Sequence, residues 1–224
     1  MTSIEEAATV PGTRDRVLRT AGVAGIAYAV TYGMYFATNQ IRHAMDPSLG
    51  EEYVTAEQLS AQLPTAAILA MIFAFNATAG LVALSSLAVF VRRSGSELAG
   101  ALTALAGAFF IGIAGAAYSG VVMSSFLTEY IPGSGATPEA QSAVIQGLYA
   151  FPQTFSGLAA TAFAAWQIIA ALSRAFPRWI TIVNLVLASL SLGTYFIGFS
   201  VGIILVIPYL LAVGIWALRR SRRA

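Results

Sequence analysis

The stretch 65-TAAILAMIFAFNATAGLVALSSLAVFV-91 runs for 27 residues without a charge and stops at Arg92-Arg93. Crossing the hydrocarbon core of a bilayer takes about 20 predominantly apolar residues in helical form. In lipid a spanning helix satisfies all of its backbone hydrogen bonds internally. The stretch therefore predicts a membrane-crossing helix that ends in a basic turn, with Asn76 as its only amide side chain.

Working outward, five more blocks of similar character appear, at about 18–38, 98–126, 141–172, 179–198 and 201–218. Together with 65–91 they predict an all-α, polytopic six-helix transmembrane bundle forming one domain over residues 1–224. The whole composition agrees: 58% of the residues are hydrophobic, 10% are charged, and mean hydropathy is +0.75. A soluble domain is about half apolar and about a quarter charged. Local punctuation marks the helix starts. Ser94-x-x-Glu97 predicts a capping box for the third helix, and Thr137-Pro138-Glu139 a cap and N1 proline for the fourth. Pro177 opens the fifth. Pro152 predicts a kink in the long fourth helix, and Thr55 to Leu63 a short interfacial helix. Gly22-x-x-Gly25 and the run Gly107, Gly112, Gly115 supply small faces for close packing. The first sixteen residues lack a signal peptide's basic start and cleavage site, so the first helix is expected to be retained.

All twelve basic residues are arginine. Drawn on six helices, eleven fall on one side and only Arg42 on the other. The positive-inside rule then predicts both termini in the cytoplasm, in a cell-membrane protein. The opposite side carries Asp46, Glu51, Glu52, Glu57, Glu129 and Glu139.

Composition excludes much chemistry. With no cysteine there is no disulfide, thiolate ligand or cysteine nucleophile, and with no lysine there is no Schiff base. One histidine and no close pair of strong ligands leave no metal site, and no cofactor motif is present, so neither metal nor cofactor is expected. The arginines sit at helix ends and form no groove-sized patch, so no nucleic-acid partner is expected.

The polar residues inside the apolar blocks carry the functional reading, because such groups usually face a bundle interior or a cavity. Tyr28, Tyr32, Tyr35, Asn39, Arg42 or His43, and Asp46 recur at steps of three or four, forming one stripe if the first helix runs that far. Tyr118, Ser125 and Glu129 share a face of the third helix. Gln146, Tyr149, Gln153 and Ser156 share one of the fourth. Asn76 lies near mid-depth, and the fifth helix adds Asn184, Ser191 and Tyr195. Most of these map to the half away from the arginines and predict an aromatic-walled cavity there. Acid–base chemistry by Glu129, Asp46 and His43 is what the composition permits, with Tyr32, Tyr35, Asn39, Asn76, Tyr118, Gln146, Tyr149 and Gln153 as the binding wall. Each has a plainer reading as well: interfacial belt for the tyrosines, interhelical glue for Asn76, backbone satisfaction at the kink for the glutamines, a headgroup-level position for His43.

The segment 146-QGLYAFPQTFSGLAATAFAAWQIIAALSRAFPRWITIVNLVLASL-190, with its basic turn and "FPRW", resembles the domain-of-unknown-function family 4386 of bacterial multi-helix membrane proteins. That resemblance implies architecture and no activity. In size and helical character the chain is also similar to small integral-membrane terpene cyclases. This likeness implies an acid that protonates a polyprenyl chain, for which Glu129 and Asp46 are the candidates. The expected function is therefore a membrane enzyme or binder acting on a lipid-soluble, isoprenoid-like small molecule, in contact with membrane lipids, alone or as a homo-oligomer. A six-helix channel or carrier and a non-catalytic membrane subunit are the alternatives.

Overall fold

A computed structural model describes residues 13–45, 63–94, 96–127, 137–196 and 201–222. Among them are six helices and no strand: α1 (Thr13–Met45), α2 (Leu63–Ser94), α3 (Glu97–Leu127), α4 (Pro138–Leu172), α5 (Arg178–Phe196) and α6 (Val201–Ser221). Three stretches are long and apolar enough to cross a membrane, Pro64–Ser94, Glu97–Ala116 and Ile204–Ser221; Gly157–Leu172 and Arg178–Gly193 are shorter apolar helices.

Each helix packs on its chain neighbours, and α6 returns against α1, closing a ring that α4 and α6 also bridge. Neighbours run antiparallel. Tyr35 meets Phe73 while Tyr28 lies over Gly80; Gly107 faces Trp166 while Phe110 faces Phe163; Gly22 faces Leu218 while Gly25 faces Leu210. This up-and-down path gathers exposed Arg16, Arg19, Arg92, Arg93, Arg174, Arg178, Arg219, Arg220 and Arg222 at one end of the bundle. An aromatic plug of Phe90, Phe176 and Trp216 lies just inside that end.

The polarity of the bundle is inverted relative to a soluble protein. Phe75, Leu98, Leu105 and Leu172 are each exposed by more than 60%, while Asn76, Thr103, Gln167, Asn184 and Ser191 are buried to 2% or less. Water would penalise that outer surface, whereas lipid accepts it and drives the polar groups inward. The long, apolar helices and this inversion mark a membrane protein.

Several local expectations need correction. α1 is longer than 18–38 and carries Asn39, Arg42 and His43 on its last two turns. An apolar-window reading stops where the apolar residues stop, but Gln, Arg and Met sustain helix equally well. The cap of α3 is Ser96, not Ser94: the Ala99 N–H donates to Ser96 Oγ at 3.1 Å, and Gly100 N–H to its carbonyl. Ser94 closes α2 instead, and Glu97 pairs with Arg92 at 2.9 Å across the hairpin. Gly112 has open space around it, and a Cβ at Gly115 would meet only Phe73 at 3.9 Å, so of that run only Gly107 makes a tight contact. The α4 start is as read: Thr137 Oγ1 accepts from Ala140 N–H, with Pro138 in the first turn. Pro177 likewise accepts from Thr181 N–H at the start of α5. α4 is helical across Pro152; of the expected helix over 55–63, Leu63 instead opens α2 and 55–62 lie outside the described residues.

Candidate functional site

The aromatic stripe of α1 is real and buried. Tyr28, Tyr32 and Tyr35 are exposed by only 2%, 5% and 6%. Tyr28 and Tyr32 stack with centroids 5.9 Å apart, Tyr32 and Tyr35 follow at 6.3 Å, and Tyr35 meets Phe73 of α2 edge-on. Rings at steps of four and three on one helix fall within such contact distances because those steps bring side chains back to one face. Asn39, a turn further on, is half-buried.

Asn76 fixes α2 against this stripe. Its Nδ2 donates to the Tyr28 carbonyl at 2.8 Å and to Thr31 Oγ1 at 3.0 Å. Thr31 in turn donates back to the Ala27 carbonyl at 2.8 Å. A side-chain amide bonded to a backbone carbonyl of a neighbouring helix is a strong local anchor in an apolar medium. Beside it lies a cavity of about 10 Å³ among Tyr28, Tyr32, Phe73, Asn76, Phe110 and Ile111, room for about one water. The Asn76 bonds are those of its plainer reading as interhelical glue.

Other predicted residues fall where the structure says less. His43 lies on α1, Tyr118 on α3, and Gln146, Tyr149 and Gln153 on α4, with side chains outside the described set. Asp46 and Glu129 lie outside the described residues altogether. Tyr32, Tyr35 and Asn76 are thus the predicted members that the structure brings together.

A second polar cluster had no sequence counterpart beyond Asn184. Gln167 on α4, Asn184 on α5 and Tyr209 on α6 are exposed by 0%, 0% and 3%. Gln167 lies about a turn and a half before the end of α4, and Asn184 about as far after the start of α5. The five-residue turn between them places the two amides at one level of the hairpin. Trp216 touches Phe176 in that turn; Tyr209 lies about two turns along α6 from the one, as Asn184 does along α5 from the other. The Asn184 amide lies near enough to the Tyr209 hydroxyl for a weak interaction, outside full hydrogen-bond geometry. Neither atom of the Gln167 amide, neither of the Asn184 amide, nor the Tyr209 hydroxyl has a partner; the Trp166 Nε1–H, whose ring lies 5.9 Å from that of Tyr209, has none either. Leaving such groups unmatched costs about 1–3 kcal/mol each.

Sequence reading missed Gln167 because its helical neighbours Phe163, Ala164, Ala170 and Ala171 are apolar, so no stripe forms on α4. Its symmetry with Asn184 about the turn at 173–177 was the available signal. This cluster lies toward the arginine end, away from the half to which most of the polar residues read from the sequence map.

An open groove of about 420 Å³ between α2 and α3 is floored by Ser85, Ala88, Ala101 and Ala104. The ionic groups at its mouth, Arg92 and Glu97, are already paired and exposed, so it presents no unmet chemistry.

Fold and site together define an all-helical membrane protein with two buried, uncharged polar centres among the described residues. No protein-family model, curated protein or solved structure matches the chain.

Proposed function

We propose that this chain is a six-span integral membrane protein, both termini cytoplasmic, that binds and transforms a lipid-soluble, isoprenoid-like molecule. The arginine end faces the cytoplasm under the positive-inside rule. The observation that supports the reading is the Tyr28–Tyr32–Tyr35–Phe73 aromatic run beside Asn76. It is a mostly apolar wall with one polar group, which matches a small-molecule site in composition and encloses room for about one water in this closed form. Electron-rich rings also stabilise developing positive charge. Glu129 or Asp46 is the proton donor and His43 an orienting group at the mouth shared with Gln146. A carboxyl beside apolar walls keeps its proton near neutral pH and can deliver it to an alkene. The resemblance to family 4386 belongs to this proposal as its architectural counterpart.

The test is conversion of a polyprenyl substrate by the purified protein in lipid nanodiscs, followed by mass spectrometry. Glu129→Gln keeps the shape, removes the acid, and is expected to abolish turnover while binding survives; His43→Ala weakens binding or shifts the pH profile. Full turnover by both Glu129→Gln and Asp46→Asn removes the acid mechanism. For topology, Ser48→Cys in this cysteine-free chain is expected to label from outside only; labelling from the cytoplasmic side reverses the assignment.

A further inference from the structure

The Gln167, Asn184 and Tyr209 corner is not explained by packing alone. By their positions in the chain three helices each bring a buried polar group to one level. None of those groups completes a hydrogen bond among the described residues, although the Asn184 amide lies near the Tyr209 hydroxyl. Adjacent Trp166 adds an indole N–H, which only donates. The set holds two carboxamides, a phenol and an indole, all neutral. An ion placed there would meet no compensating charge. A neutral hydroxyl or carbonyl oxygen would accept from the amide and indole N–H groups, and a hydroxyl would also donate to an amide oxygen.

α5 touches α6 along a shorter seam than it shares with α4 or than α6 shares with α1. Both helices carry exposed apolar side chains, Leu185 and Val186 on one, Ile204 and Leu211 on the other, and buried polar ones, Asn184 and Ser191 on α5 and the Tyr209 phenol on α6. Inward from Tyr209, the rings of Phe163 at 5.6 Å and Phe110 at 4.9 Å from Phe163 form a continuous aromatic column. Phe110 also lines the Asn76 cavity. The two polar centres are therefore linked by a run of packed aromatic rings.

We infer that the Gln167–Asn184–Tyr209 corner holds the neutral oxygen head of a lipid-soluble ligand that enters between α5 and α6 and lays its chain along the Phe163–Phe110 column. This deepens the functional reading above and rests on it for the apolar body of the ligand.

The experiment compares farnesol with farnesene, the same carbon skeleton without the hydroxyl, by thermal unfolding of the full-length protein in detergent. Ligand that binds only the folded state raises the midpoint. Farnesol is expected to raise it by several degrees more than farnesene. In the Gln167→Leu/Asn184→Leu double variant that excess disappears, while the ligand-free midpoint stays level or rises because apolar groups replace unmatched ones. Tyr209→Phe removes one oxygen and is expected to weaken farnesol roughly fivefold, the loss of one hydrogen bond, without moving farnesene. If the double variant keeps the full excess, or melts lower and Tyr209→Phe binds farnesol as wild type does, the amides are a structural clasp and this inference alone fails. If neither compound shifts the wild type, the functional reading fails and takes this inference with it.

Discussion

Gly22 and Gly214 meet backbone to backbone where α1 crosses α6. A Cβ built on Gly214 would lie 2.9 Å from the Gly22 carbonyl, and one on Gly22 would lie 2.8 Å from the Gly214 carbonyl. Neither carbonyl can move aside without disturbing its helix. Small residues permit this approach, and dispersion and weak Cα–H···O contacts hold it. Gly214→Val is expected to destabilise the bundle by about 1–3 kcal/mol, as overpacking does. Gly33, with nothing within 4 Å of a built Cβ, is the control: Gly33→Ala should be neutral or gain up to about 1 kcal/mol in helix propensity. Denaturant unfolding in detergent compares the two. An equal response from both sites would mean that the α1–α6 crossing is loose.

Asn76 should be replaceable only at a cost. Asn76→Leu removes the donors to the Tyr28 carbonyl and Thr31 Oγ1 and is expected to lose about 0.6–1.7 kcal/mol, the range for interhelical hydrogen bonds in membranes. Thr31→Val, which leaves the carbonyl contact, should lose less. If Thr31→Val costs as much as Asn76→Leu, the Tyr28 contact contributes nothing.

Arg174 holds the left-handed conformation, φ 56°, immediately after the Ser173 cap of α4. A residue with a Cβ is strained there by roughly 1–2 kcal/mol relative to glycine, the usual occupant of this position. Arg174→Gly is therefore expected to raise the unfolding midpoint, despite losing a positive charge at the arginine end. A lower midpoint would show that the Arg174 side chain matters more to stability than its backbone angle.

The two serines of the α2–α3 hairpin separate cleanly. Ser96→Ala removes the acceptor for Ala99 N–H and should cost about 1 kcal/mol. Ser94→Ala should be neutral or slightly stabilising, because the Ser94 hydroxyl is buried without a partner. The reverse order in thermal unfolding would restore Ser94 as the cap.

At the start of α4 the Glu139 backbone N–H, and after it the Thr137 hydroxyl, hold the Glu139 carboxyl below the usual carboxylate range. A carboxyl lowered in the folded state contributes stability above its unfolded pKa and loses it as pH falls through the folded value. Glu139→Gln should therefore lower the midpoint near neutral pH and match wild type in acid. A deficit that is constant with pH would assign the effect to the amide itself.

The hydrophobic blocks and arginine positions determined the helices themselves, since an apolar run of this length has one way to satisfy its backbone in lipid. They also determined the α1 tyrosine stripe, because residues at steps of three and four on a single helix share a face whatever that helix packs against. The length of α1 through His43 was not legible from apolar windows, because polar residues with good helix propensity extend a helix past its apolar part. Nor was the choice of Ser96 over Ser94, which depends on where the α2 hydrogen bonds end. Only the tertiary structure joined Gln167, Asn184 and Tyr209: they sit on three helices, Gln167 has no polar neighbour on its own, and their common level follows from a five-residue turn and from the contact of Trp216 with Phe176. Pairing between helices is set by packing across the ring, and a pattern that repeats along one helix carries no record of it.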